Sequence, residues 1–84
     1  MSKKHRRTLE AIFEEPIRAS ILWRDIETIL KAAGATISTG EGSRVRIALN
    51  GVRAVFHRPH PEKETHKGTV RSMRRFLTDA GVTP

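Results

Sequence analysis

Residues 42–76 read GSRVRIALNGVRAVFHRPHPEKETHKGTVRSMRRF, and this stretch decides the fold. Two alternating segments flank Asn50-Gly51. Asn-Gly between such segments predicts a type I′ hairpin turn, because both central residues of that turn need positive φ. On the first strand Val45, Ile47 and Leu49 share one face, while Arg44, Arg46 and Ala48 share the other. On the second, Val52, Ala54 and Phe56 alternate with Arg53, Val55 and His57. A two-residue turn fixes the register, with His57 opposite Arg44, Val55 opposite Arg46 and Arg53 opposite Ala48. One face of the hairpin is apolar and suited to a core. The other is basic.

Working outward, Pro59 and Pro61 stop the second strand, and Arg58 to Glu64 reads as a loop. Lys67-Gly68-Thr69 opens a last helix from about Thr69 to Ala80, with Val70, Met73, Leu77 and Ala80 on one face. Arg71, Arg74 and Arg75 fall on or beside its exposed side, and Gly81 ends it. Before the hairpin, Ala35 to Ser38 reads as a short strand and Thr39 to Gly42 as a turn. A helix precedes them, with Trp23, Ile26, Ile29, Leu30 and Ala33 in an apolar stripe, Ser20 as a candidate cap and Gly34 as its end. Trp23 belongs to the stripe and is expected to anchor the core. A first short helix starts near Thr8, with Leu9, Ile12 and Phe13 at helical spacing and Pro16 beyond. Met1 to Arg7 carries Lys3, Lys4, His5, Arg6 and Arg7 and is either a frayed terminus or a basic arm, with disorder the default. The order α-α-β-β-β-α predicts an α+β fold: a three-stranded antiparallel sheet with helices on one face and the first helix added at the edge.

The chain has 84 residues, enough for one modest core and no separate cofactor domain. Sixteen Lys plus Arg face nine Asp plus Glu, a net charge of +7. Such a balance favours a polyanion, nucleic acid first of all. Cysteine is absent, which excludes disulfides, thiolate metal sites and a cysteine nucleophile. The chain shows neither a signal-peptide pattern nor an apolar run of about 18 residues, so a cytoplasmic location away from membranes is expected. With one Trp, three Phe and no Tyr, exposed stacking platforms for single-stranded bases are not expected.

Ala33-Gly34, Gly42-Ser43, Pro59-His60-Pro61 and Lys67-Gly68-Thr69-Val70-Arg71, in this order and spacing, resemble the HicA toxins of HicA–HicB toxin–antitoxin systems. The resemblance runs from about Trp23 to Val82. It divides the chain into an N-terminal basic extension with a short helix, residues 1–22, and a HicA-like domain, residues 23–84. It implies an αβββα fold like that of double-stranded RNA-binding domains, preceded here by an extra helix. It further implies a ribosome-independent mRNA interferase, an endoribonuclease silenced by a HicB antitoxin. In that family a catalytic histidine usually follows Gly-Ser directly on the strand. Here that position holds Arg44.

Metal-free RNA cleavage needs a base for the 2′-hydroxyl proton, an acid for the leaving oxygen and cations for the charged phosphorane. Histidine suits proton transfer near neutral pH, whereas arginine stays protonated and suits phosphate. His57, opposite Arg44, and His60, in the Pro-bounded turn, are the candidates for the proton role, with Arg44 holding the phosphate. Each histidine is equally readable as a solvated strand-end or turn residue. Arg44, Arg46, Arg53 and Arg58 form the candidate phosphate-binding set, joined by Lys67 and by the backbone N–H groups of Gly68 and Thr69. Singly, each is readable as a solvated surface charge. A metal held by His57, His60 and His66 is disfavoured by loose spacing, so neither metal nor cofactor is expected. Glu62 and Glu64, beside Lys63 and Lys67, read as a solvated charged loop. Two other functions stand beside the nuclease: an RNA-binding module without the reaction, and a basic domain that docks an acidic antitoxin.

Overall fold

The computed structural model describes residues 1–60 and 62–84; Pro61, assigned above to the Pro-bounded turn, lies outside them. The elements are α1 (Lys3–Ile12), α2 (Trp23–Ala32), β1 (Thr36–Thr39), β2 (Arg44–Leu49), β3 (Val52–His57) and α3 (Lys67–Asp79). The strands form one antiparallel sheet in the order β1-β2-β3. This is the expected αβββα arrangement with one helix ahead of it.

The hairpin follows the local chemistry of its turn. Asn50 has φ 49° and Gly51 φ 82°, the two positive values that a type I′ turn requires. The register is the one expected, with Arg44 opposite His57, Arg46 opposite Val55 and Ala48 opposite Arg53. The Asn50 side-chain amide also donates to the Ala80 carbonyl at 2.8 Å, tying the turn to the C-terminal end of α3. Gly34 and Gly81, both at positive φ, close α2 and α3.

Alternation divides the sheet into two unlike faces. Val45, Ile47, Leu49 and Phe56 are buried against Ile26, Leu30, Val70, Met73 and Leu77 of the helices. Phe56 lies 6.1 Å from the Trp23 ring and meets Phe76 edge-on at 5.9 Å, so three aromatic rings join the sheet to α2 and α3. Trp23 is the core anchor expected of it.

The N-terminal region departs from expectation in three ways. The chain from Met1 to Arg7 is not frayed, because Ser2 and His5 form a capping box that starts α1 at Lys3 rather than Thr8. Nor is α1 an edge addition. It packs against α2 and α3, and Leu9 and Ile12 are buried in the common core. Arg74, expected on or beside the exposed side of α3, is drawn onto this region: it donates to the carbonyls of Ile12 and Glu14 and to the Glu15 carboxylate, with its guanidinium over the Phe13 ring.

Ser20 does not cap α2. The N-cap is Leu22, and the chain ahead of the helix pairs with the loop after β3. Thr65 N–H donates to Ile21 O at 2.8 Å, and Trp23 N–H donates to Lys63 O at 3.1 Å. Backbone pairing replaces the side-chain cap. It also holds Lys63 and Thr65 of the loop against the start of α2.

Candidate nucleic-acid interface

The face of the sheet turned away from the helices carries the arginines. Arg44, Arg46, Arg53, Val55 and His57 are all exposed there, because each occupies the outward position of its strand. Arg44 and His57 are directly opposite, a relation in which Cβ atoms are about 5 Å apart. Neighbouring Thr36, Ser38, Arg46, Ala48, Arg53 and Val55 line a shallow concavity of about 450 Å³. Val55 is 54% exposed, an apolar centre within a cationic surround. Such a surface can hold a phosphate chain by charge while offering an apolar contact to sugar or base.

His57 also borders a second recess, where the edge of β3 meets the first turn of α3. His57, His66, Gly68, Thr69 and Ser72 line it. His66 is the N-cap residue of α3 and makes no side-chain capping bond. His57 is thus shared between the basic sheet face and the helix opening. Lys67 is exposed at the first position of α3 but does not line that recess.

Arg58 departs from the candidate set. Its guanidinium forks onto Glu27 of α2, Nε donating to Oε2 at 2.7 Å and Nη2 to Oε1 at 3.1 Å. The Trp23 indole N–H donates to the same carboxylate. Burial pushes the Glu27 carboxyl up, but the hydrogen bonds from Arg58 and Trp23 and the charges of Arg58 and Lys31 outweigh it and hold the group below the ordinary carboxylate value. The hydrogen bond to Glu27 likewise raises Arg58. Arg58 is a bracing residue here, joining the end of β3 to α2, and its N–H adds a bond to Ser43 O at 2.9 Å beside Arg44.

The two candidate histidines are separated. His60 borders a third cavity, between the start of α2 and the loop, and not the basic face. Among the described residues no three histidine or carboxylate side chains converge as metal ligands would.

Glu27 escaped the reading of the sequence. Its spacing from Trp23, one helical turn, was visible, but its tie to Arg58 spans 31 positions and has no local signature.

The model of a protein family, the HicA toxin of bacterial toxin–antitoxin systems, matches residues 23–82. The chain belongs to the HicA toxin family. No curated protein and no solved structure matches it significantly. The HicA match begins at the first residue of α2, so α1 lies outside the matched unit although it shares the HicA core. No helix among the described residues is long and apolar enough to cross a membrane.

Proposed function

We propose that this HicA-family toxin is a metal-independent endoribonuclease acting on mRNA in the cytoplasm, held in check by a HicB-type antitoxin. The observation that carries the reading is the pairing of Arg44 with His57 on the open basic face. The family resemblance assigns a proton-transferring histidine to the position of Arg44, and an arginine cannot accept a proton near neutral pH. His57 is the group able to replace it from across the strand pair.

In this mechanism neutral His57 takes the proton of a ribose 2′-hydroxyl. The 2′-oxygen attacks the adjacent phosphorus, and Arg44 neutralises the developing charge on the phosphoryl oxygens. The bond from phosphorus to the 5′-oxygen breaks, leaving a 2′,3′-cyclic phosphate and a 5′-hydroxyl. The imidazolium returns its proton to the departing oxygen. Arg46 and Arg53 hold the flanking phosphates. An acidic antitoxin laid over the same face would screen these arginines and close the site, which joins the toxin role to its inhibition.

The test is cleavage of RNA by purified protein in EDTA. His57→Ala is expected to lose about 100-fold to 10,000-fold in rate, while His60→Ala still cuts. Retention of RNA without any cutting by the wild type would instead support a binding module that has lost the reaction. A His57→Ala protein that cuts at the wild-type rate would remove His57 from the mechanism.

A further inference from the structure

His60 is the motif residue that the proposed reaction does not use, and its surroundings have the character of a built site. The cavity it borders measures about 430 Å³, within the range of about 300–1,000 Å³ typical of small-ligand pockets. Trp23, Arg24, Arg58, His60, Glu62 and Lys63 contribute to its wall. Two features make it preformed. Glu27 binds both the Trp23 indole and the Arg58 guanidinium, so floor and side are braced by one carboxylate. The backbone bond from Trp23 N–H to Lys63 O holds the loop against α2.

Charge and position identify the occupant. Arg24 and Lys63 form no ion pair within the described residues, whereas Arg58 is engaged by Glu27 and the Glu62 carboxylate lies 3.7 Å from the His66 imidazole. Two free cations beside a flat, exposed imidazole suit an anion that carries an aromatic ring. Trp23 keeps only 5% exposure and serves as floor, which leaves His60 and Arg24 as the planes on which a base can stack. The cavity begins at Arg58, which follows His57 at the end of β3 and turns its side chain to α2, so it lies round the end of the strand from the basic face.

We propose that this cavity binds the nucleotide adjacent to the scissile phosphate, with its base stacked on His60 and its phosphate held by Arg24 and Lys63. The proposal rests on the RNA reading above and makes His60 a specificity residue rather than a proton carrier.

Trp23 is the only tryptophan and tyrosine is absent, so intrinsic fluorescence reports on this cavity. The probe is a 2′-O-methyl oligoribonucleotide panel varied at one base, which binds but cannot be cut through a 2′-oxygen. Affinity is read by anisotropy and cavity occupancy by Trp23 emission. For the preferred base, emission should change in step with binding, and His60→Ala or Arg24→Gln should weaken affinity by about tenfold. His60→Phe, which keeps a stacking plane and has no proton to give, should restore it. Anisotropy that rises without a Trp23 response, equal affinity in wild type and His60→Ala, or a His60→Phe protein no better than His60→Ala would overturn the proposal. A Trp23 response to an acidic antitoxin but not to RNA would do the same, moving the cavity to the protein partner. Loss of the nuclease reading is separately visible, as binding and His60 dependence intact with unmodified RNA left uncut.

Discussion

Glu27 shows how one carboxylate joins distant parts of this chain. It is the acceptor shared by Trp23 and Arg58, and its carboxyl is held below the ordinary carboxylate value. A carboxyl lowered on folding contributes stability that is fully present above its unfolded pKa and is lost as pH falls through the folded one. Wild type is therefore expected to exceed Glu27→Gln in stability near about pH 6, with the gap narrowing towards about pH 3. Urea unfolding at both values checks this, and a gap that stays constant would show that the charge of Glu27 contributes nothing. The same residue marks what could be read in the sequence. Arg44, Arg46, Arg53 and His57 were found on one face because strand alternation and a two-residue turn are local rules. Arg58 stood in the same list because nothing near it announces Glu27. His57 and His60 stood together as candidates for the proton role, yet they border different cavities.

Among the elements, α1 differs most from its expectation. Its basic first turns suggested a solvated arm, but Ser2 and His5 cap it, and Leu9 and Ile12 are buried. A histidine in the reciprocal position of a capping box is a weak sequence signal beside a run of lysines and arginines, so the helix start was hidden. The sheet was legible for the opposite reason: Asn50-Gly51 and the period-2 pattern agree with one another at every position. Because Ile12 is fully buried, Ile12→Ala is expected to cost about 2–5 kcal/mol, a large share of the stability of about 5–15 kcal/mol usual for a small domain. Equilibrium unfolding measures it. A cost below about 1 kcal/mol would mean that α1 detaches without disturbing the rest. Arg74 makes that outcome unexpected, since releasing α1 strips its guanidinium of the Ile12 carbonyl.

At the scale of the whole molecule, three of the sixteen basic residues, Arg44, Arg46 and Arg53, lie together on the sheet face opposite the core. For the proposed RNA binding, counterion release sets the salt response. Replacing Arg46 or Arg53 by Gln is expected to reduce the slope of log affinity against log salt by about 0.7 each for single-stranded RNA. A titration over several salt concentrations decides it, and unchanged slopes would take these residues off the RNA path. The same face has a consequence for how copies of the toxin treat one another. Val55 lies exposed near the middle of β3, and β3 is an edge strand. An exposed apolar residue on an open edge invites sheet-to-sheet aggregation, and neighbouring arginines act as gatekeepers against it. Two such faces repel one another, and an acidic surface laid between them removes that repulsion.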